Sequence, residues 1–195
     1  NSYTITARPI TLTADNQNRY YGNANPITDT YTLSSGSLAN SDTLNSTIDV
    51  TSPATVTSNV GNYALSGSNA SFSSGSASNY SISYADGTLT VDARPITVGV
   101  TGSSIYGNSV ATSATGGNII VTGLGLANSD TITSASLATN ATNTSNVGTN
   151  YTTTASGAVF GVGSASNYDI TYTSNRANSY TITARPITLT ADNQN

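Results

Sequence analysis

The sequence contains no Cys, Met, Trp, His, Lys or Glu, and charged residues occupy only 7% of its 195 positions. An ordinary soluble domain carries about 25% charged residues. All five cations are Arg and all nine anions are Asp. The lack of Cys excludes thiol chemistry and disulfides, and the lack of Lys excludes a Lys–Asn isopeptide cross-link. The stability of the fold must therefore come from packing and strand pairing.

The missing residue types also exclude most catalytic and binding chemistry. General acid–base and nucleophilic catalysis rely mainly on His, Cys, Lys, Glu or Asp in perturbed settings, and only scattered Asp remain here. No calcium-binding loop is present, and Asp42 and Asp130 are expected to cap turns. A net charge of −4 leaves no basic patch for nucleic acid, and no apolar run approaches the roughly 20 residues of a membrane span. We expect no enzyme, cofactor, metal site, nucleic-acid partner or membrane-spanning segment in this stretch.

What the sequence does contain is repetition. Residues 1–18 recur unchanged as residues 178–195, and the tetrapeptide ARPI begins at Ala7, Ala93 and Ala184. Between these marks the motifs YYGN or IYGN, LANSDTL or LANSDTI, TSNVG and GSASNY return in the same order. Repetition at a fixed period is typical of modular repeat proteins. The predicted organisation is the last strand of a preceding module at 1–6, modules at 7–92 and 93–183, and the first strand of a following module at 184–195.

The local pattern is almost wholly that of β strands. Segments such as ITLTA (10–14) and TYTLSS (30–35) place Ile, Leu or Tyr at alternate positions, as half-buried antiparallel strands do. Asp86-Gly87 between two such segments predicts a tight hairpin. The predicted fold class is all-β, with tandem small antiparallel β-sandwich modules arranged end to end. The alternative is a β-grasp-like module with one short helix at LANSDTL (38–44), and the pattern alone does not separate the two.

The Ala-Arg-Pro segments are the predicted module junctions. Pro fixes its own φ and disfavours helix at the preceding Arg, so a connector of this kind stays extended and stiff. We therefore expect modules that hold a fixed mutual orientation and form a rod. The junction residues are Ala7, Arg8, Pro9, Ala93, Arg94, Pro95, Ala184, Arg185 and Pro186. The Ile that follows each Pro, at positions 10, 96 and 187, is expected to point into an equivalent core.

The YYGN and IYGN motifs supply the candidate aromatic contacts, which are Tyr20, Tyr21 and Tyr106. Gly permits a tight bend, and a neighbouring Tyr can pack its ring while its hydroxyl finds a partner. Because the motif stands at the same place in both modules, a packing role is favoured over a role in ligand binding.

The order of these motifs, from RPIT through YGN, DTL, SNVG and NYxIxY to GTLTV, resembles that of MBG-type domains of the YGX kind. Such domains recur in tandem in large bacterial adhesins, including filamentous-haemagglutinin-like exoproteins, and the resemblance covers nearly the whole chain. Module 2 departs from it, since it lacks an equivalent of Pro26 and ends in ANSYTIT where module 1 ends in GTLTVD. The resemblance implies a bacterial protein at the cell surface or outside the cell.

Two functions are consistent with the repeated modules and with this resemblance. In the preferred one the repeats form a stalk or fibre of an adhesin, serving adhesion or biofilm formation, and their partners are neighbouring repeats of the same chain. In the second, the modules themselves bind host or biofilm glycans, or another copy of the chain, through exposed Tyr and Asn. An exposed aromatic cluster shared by both modules would favour the second function, and buried Tyr rings would favour the first.

Overall fold

The structure is a computed structural model and describes residues 2–192. The chain divides into two compact units, Asn1–Ala93 and Arg94–Asn195. Apart from three short 3-10 turns, the regular structure consists of β strands, which confirms the all-β class. None of the helical turns in residues 2–192 has the length and apolar character that crossing a membrane requires.

The first unit contains nine strands in two main sheets. One sheet has the order β3-β1-β8, the other has the order β2-β9-β6-β5, and β4 and β7 form a separate small ladder. A 3-10 turn at Ala77–Asn79 precedes β8. The strands are β1 (Arg8–Ala14), β2 (Gln17–Tyr20), β3 (Tyr31–Ser35), β4 (Thr43–Leu44), β5 (Asp49–Thr51), β6 (Gly61–Ser68), β7 (Phe72–Ser74), β8 (Tyr80–Ala85) and β9 (Gly87–Asp92).

The second unit repeats this plan with eight strands. Its sheets have the orders β13-β10-β16 and β11-β17-β15-β14-β12. Two 3-10 turns, Gly116–Asn118 and Ala165–Asn167, precede β13 and β16. The strands are β10 (Arg94–Val100), β11 (Gly102–Ile105), β12 (Ser113–Thr115), β13 (Ile119–Gly123), β14 (Thr131–Thr139), β15 (Gly148–Val162), β16 (Tyr168–Tyr172) and β17 (Arg176–Thr183).

The sheets are mixed, which corrects the expectation of purely antiparallel pairing. β1 runs parallel to β8, and β2 runs parallel to β9. In the second unit β10 pairs parallel with β16, and β11 with β17. The alternation of apolar and polar residues identifies a strand and its buried face, but it is the same for either direction of the partner. The direction follows from the long return of the chain, which brings the last strands of a module beside its first.

The core of the first unit lies between its two main sheets. Leu12 of β1 packs in one cluster with Leu65 of β6 and Leu89 of β9, and all three are fully buried. Complete burial of a Leu side chain contributes on the order of 1.5–3 kcal/mol. Ile10 and Ile96 are both buried, as the repeat predicted.

The LANSDTL segment forms a β-turn and no helix. The Asp42 N–H donates to the Ala39 carbonyl at 2.8 Å, and the two residues between them, Asn40 and Ser41, have φ values of 53° and 61°. Two successive positive φ values define a type I′ turn, which cannot continue into a right-handed helix. The same turn returns at Asn128 and Ser129. The β-grasp alternative predicted a short helix at this segment, and that prediction is wrong.

The hairpin predicted at Asp86-Gly87 is also wrong. β8 and β9, on either side of Asp86, belong to different sheets, so the chain crosses between sheets at this point. A Cβ added at Gly87 would lie 2.1 Å from the carbonyl oxygen of Ala14. Gly is needed here for a close approach of two backbones, and not for the positive φ of a tight turn.

Neither terminal segment carries a strand in the described residues 2–7 and 184–192. Their sequences duplicate segments that are strands elsewhere in the chain. Tyr3 is 93% exposed, whereas its copy Tyr180 in β17 is fully buried. Ile187 is 78% exposed, whereas its copy Ile10 in β1 is buried, so the expected core position of Ile187 is not found. A strand is buried only where neighbouring strands are present to pair with it, and the assignment of these segments to further modules stays a prediction.

Candidate functional site

Four of the nine predicted junction residues, the Arg and Pro of the first two Ala-Arg-Pro segments, lie inside the first strand of a unit. Arg8 and Pro9 open β1, where Arg8 is in register with Tyr80 of the parallel strand β8. Arg94 and Pro95 open β10 in the same way. The Ala-Arg-Pro segment was predicted to be a connector, but only Ala93 stands between β9 and β10. Pro is tolerated at the start of a strand, where its missing N–H removes little from the ladder. Ala184 and Pro186 lie in the segment without strands.

The side chains of the junction arginines hold turns. Arg8 donates from Nη1 to Ser37 Oγ at 2.8 Å, at the turn that follows β3. Arg94 donates to the backbone oxygens of Leu124 and Gly125 at 2.6 and 2.8 Å, at the corresponding turn after β13. A guanidinium offers several donors in a fixed fork, which a single ammonium group does not. These two arginines fasten the first strand of a module to the turn beside it.

Arg185 uses the same fork on a different turn. Its Nε donates to the Tyr106 carbonyl at 3.0 Å, and its Nη2 donates to Asn108 Oδ1 at 2.6 Å. Both acceptors belong to the Ile105-Tyr106-Gly107-Asn108 motif of the second unit. The arginine after the last strand therefore binds the tight turn that lies beside that strand's end.

The first two strands of the first unit run parallel to its last two, with β1 beside β8 in one sheet and β2 beside β9 in the other, and these two ladders together are called the parallel pair. Arg8 is in register with Tyr80, and Tyr20 is in register with Asp92, so partners are 72 residues apart at both ends. The register is the same in both ladders, although each of the two paired segments passes from one sheet to the other near Gly87. The second unit has the same pair, interrupted by four extra residues on the β16–β17 side, since Arg94 faces Tyr168 and Ile105 faces Thr183.

This pairing fixes where each module begins and ends. The entry residue Arg8 lies at one end of the pair, and the exit residue Asp92 lies at the other end. A strand rises about 3.3 Å per residue, so the thirteen residues from Arg8 to Tyr20 span at most about 40 Å. The entry and the exit of the first module are therefore at opposite ends of the parallel pair.

The YGN motifs close the pair with a tight turn. The Asn23 N–H donates to the Tyr20 carbonyl at 3.1 Å, and Asn108 donates to Ile105 at 2.9 Å. The third residue of each turn is Gly, with φ of 82° at Gly22 and 84° at Gly107, a region that favours Gly. The N–H of Tyr21 also donates to the Asp92 carbonyl at 2.9 Å, which extends the parallel ladder by one bond.

The three candidate aromatic residues have different surroundings. Tyr21 is buried, with 4% of its surface exposed, whereas Tyr106 at the equivalent position is 45% exposed. Tyr20 is 43% exposed, and its equivalent in the second unit is Ile105. The two units therefore share the backbone turn but not an exposed aromatic surface at this motif.

A tyrosine and an aspartate that sequence reasoning did not connect form the clearest repeated side-chain cluster. The Tyr80 hydroxyl accepts from the Ala39 N–H at 2.9 Å and donates to Asp42 Oδ2 at 2.8 Å. Gly75 has φ of 93°, and its Cα packs against the Asp42 carboxylate so closely that a Cβ would lie 2.4 Å from the carboxyl carbon. The 38-residue spacing of NSD and NY in both modules is the only sequence signal for this cluster.

The second unit builds the same cluster with nearly the same geometry. The Tyr168 hydroxyl accepts from Ala127 at 3.0 Å and donates to Asp130 Oδ2 at 2.7 Å. The Phe160 ring stacks on Tyr168 with centroids 5.3 Å apart, as Phe72 does on Tyr80 at 5.0 Å. Each aspartate thus fixes the type I′ turn to the strand that pairs with the module entry.

Other tyrosine hydroxyls hold backbone groups at equivalent places in the two units. Tyr63 donates to the Asn59 carbonyl at 2.8 Å, and Tyr151 donates to Asn146 at 2.7 Å. The hydroxyls of Tyr84 and Tyr172 accept from the N–H groups of Ala70 and Ala158. These contacts give the tyrosines a structural role within their own modules.

Arg19 is a buried cation that donates hydrogen bonds to three neutral oxygens. Its guanidinium donates to Asn25 Oδ1 at 2.7 Å, to the Tyr20 carbonyl at 3.2 Å and to the Thr55 carbonyl at 2.5 Å. Burial lowers the pKa of Arg19 below its ordinary value, and the Tyr63 phenol opposes this shift. The second unit places Ser104 at the equivalent position, so this buried network belongs to the first unit alone.

The surface offers shallow recesses. One beside Arg8, Asp42 and Asn79 has a volume of about 290 Å³. Within residues 2–192, no three side chains of His, Cys, Asp or Glu lie together as potential ligands of a metal ion. The arrangement that both units share is therefore one of strand pairing and turn fixation.

Comparison with known families bears on this arrangement. Residues 10–90 match the family model of the MBG domain (YGX type). The first module is an MBG domain. The match extends over nearly all of the strands of that module, from β1 to β9. No curated protein and no solved structure matched the chain.

The family assignment gives a general context. MBG domains are found in bacterial surface proteins, and the family is structural in type and not a family of enzymes. The MBG match covers the first module, and the second module shares its motif order, its parallel strand pair and its tyrosine–aspartate cluster.

Proposed function

We propose that this chain is a stalk segment of a bacterial surface adhesin, in which MBG modules act as spacers and support adhesion or biofilm formation. The proposed location is extracellular, at the bacterial surface. The partners of each module in this proposal are the neighbouring repeats of the same chain.

The parallel pair, which joins β1 to β8 and β2 to β9, carries this proposal. Arg8 and Asp92 lie at opposite ends of this pair, which supports an entry and an exit at opposite ends of the module. Only Ala93 separates the last strand of that module from the first strand of the next. A connector of one residue leaves little freedom for bending, and modules with entry and exit at opposite ends can be added without limit.

The tyrosines favour a spacer over a binding module. The hydroxyls of Tyr63, Tyr80 and Tyr84 all bond to groups of their own module, and the same holds for the equivalents of all three. The exposed rings of Tyr20 and Tyr106 stand at positions that are not equivalent. A surface that bound a glycan in every repeat would need the same exposed residues in every repeat.

Small-angle X-ray scattering on tandem proteins of two, four and six modules tests the proposal. The maximum dimension is expected to rise linearly, by about 30–40 Å for each added module, as the module length requires. A maximum dimension that grew nearer to the square root of the module number would show flexible beads and would contradict a stiff stalk. Binding to a glycan array by the two-module protein would support the competing binding function.

A further inference from the structure

An external force on a module would act on its first strand, β1, and on its last strand, β9, which belong to the two halves of the parallel pair, β1–β2 and β8–β9. A force along the chain pulls β1 toward its own beginning at Arg8 and pulls β9 toward its own end at Asp92. Because the two halves of the pair run parallel, these pulls make the strands slide along each other. The hydrogen bonds of the β1–β8 and β2–β9 ladders link the two halves, so both ladders resist the sliding together.

We propose that each module is a load-bearing clamp, in which tension between the module ends is carried in shear by the parallel pair. This inference deepens the proposed stalk function, because it assigns the stalk a resistance to tension. It concerns the interior of a single module and does not depend on how consecutive modules are arranged.

Both loaded strands are central strands of their sheets. β1 lies between β3 and β8, and β9 lies between β2 and β6. Extracting either strand therefore breaks two ladders and not one. In the second unit β10 lies between β13 and β16, and β17 lies between β11 and β15, so the same protection is repeated.

Buried side chains resist the same sliding motion. Leu12 of β1 and Leu89 of β9 are fully buried, and Val91 is 1% exposed. In the second unit Tyr180 and Ile182 of β17 have exposures of 0% and 2%. Side chains packed at close to crystal density must leave their sites before a strand can move by one residue. Sliding thus requires loss of core packing together with loss of the ladder.

The remainder of the module lies outside the direct path of the load. Tension passes from β1–β2 to β8–β9 across their ladder, and residues 21–79 form a branch that leaves β2 and returns at β8. The two units differ within this branch, where the long strand β14 takes the place of β4 and β5, and β15 takes the place of β6 and β7. The clamp is kept in both units although the branch varies.

Single-molecule force measurements on the 195-residue chain test the clamp by changing the direction of pulling. The chain has no Cys, so an introduced pair is a unique point of attachment. Thr6→Cys with Ala93→Cys applies the force along the pair. Thr6→Cys with Ser78→Cys applies it at one end of the pair, because Ser78 precedes Tyr80, the partner of Arg8. The second geometry peels the ladder one bond at a time.

We expect the unfolding force to be severalfold higher for the Thr6–Ala93 pair than for the Thr6–Ser78 pair at equal loading rate. The gain in length identifies the event, since it equals the extended length of the span, about 300 Å for the first pair and about 250 Å for the second, minus the separation of the two attachment points in the folded module. Equal melting temperatures of the two variants show that both are folded and that direction alone differs.

The second unit gives an independent repeat of the test, with Ala93→Cys and Ala184→Cys for sliding and Ala93→Cys and Ser166→Cys for peeling. Equal forces in the two directions, or a lower force along the pair, would overturn the clamp in either unit. A stiff rod in scattering together with equal forces would leave the stalk standing without the clamp. Flexible beads together with a large directional difference would leave the clamp without the stiff stalk.

Discussion

At the scale of single residues, these modules use the tyrosine hydroxyl where many proteins use a charged group. Tyr80 and Tyr168 each bridge a backbone N–H and an aspartate carboxylate, at positions that repeat from one unit to the next. A phenol both donates and accepts, and its ring adds apolar contact area. A chain with only 7% charged residues can fix its turns in this way without ion pairs.

Removing one hydroxyl tests this role. Tyr80→Phe is expected to lower the free energy of unfolding of the first module by about 1–3 kcal/mol, because the Ala39 N–H and the Asp42 carboxylate lose their partner. The matched control is Tyr106→Phe, whose ring is 45% exposed and which should change stability by less than about 0.5 kcal/mol. Urea unfolding followed by tyrosine fluorescence measures both. Equal stability of the two variants would disprove the bridging role.

A second test at this scale concerns the crossing point of the parallel pair. Gly87→Ala would bring a methyl group to 2.1 Å from the Ala14 carbonyl oxygen, so we expect a loss of about 1–3 kcal/mol. Gly117→Ala is the control, since no atom lies within 4 Å of its added methyl group. That substitution should be neutral or should stabilise by up to about 1 kcal/mol. Thermal melting of both variants decides, and a stable Gly87→Ala protein would contradict the close approach.

At the scale of elements, the strands themselves could be predicted from the sequence but their partners could not. The alternation in ITLTA gave the position and buried face of β1, and the repeat gave the burial of Ile96 from that of Ile10. The Asp86-Gly87 dipeptide carried a local hairpin signal, and the structure uses it for a crossing between sheets. Local patterns contain no information on a partner 72 residues away, so the parallel pair and the tyrosine contacts required the folded structure.

The duplicated termini show the same limit in another way. NSYTIT at residues 178–183 has Ile182 buried, whereas the identical stretch at residues 1–6 has Ile5 98% exposed. One sequence therefore has two burial states, and the presence of pairing strands decides between them. A prediction based on the segment alone assigns it a strand in both places.

At the scale of the whole molecule, the composition predicts a stability that hardly changes around neutral pH. The chain has no His, and the ordinary pKa values of Asp and Tyr are about 3.9 and 10. Burial raises the pKa of Tyr31, so its neutral form is favoured in the folded state. The contribution of Tyr31 is therefore complete below the unfolded pKa near 10 and is lost as the pH rises above that value.

Melting temperatures measured across the pH range check this expectation. We expect a nearly constant value from about pH 6 to pH 9 and a decrease above about pH 10. Tyr31→Phe should remove part of that decrease, because it removes a group that ionises more readily in the unfolded chain. A transition near pH 7 would disagree with the absence of His.

The pairing of the first two strands with the last two also sets an order in time. When a chain emerges N-terminus first, β1 appears first, and its parallel partner β8 follows 72 residues later. β9 lies between β2 and β6, so this sheet cannot be completed until the residues up to Asp92 have emerged. Closing a loop of this length costs entropy before any contact is gained, and such distant pairings form slowly. Each module is thus expected to stay open during its emergence and to close as one unit when its final strand arrives.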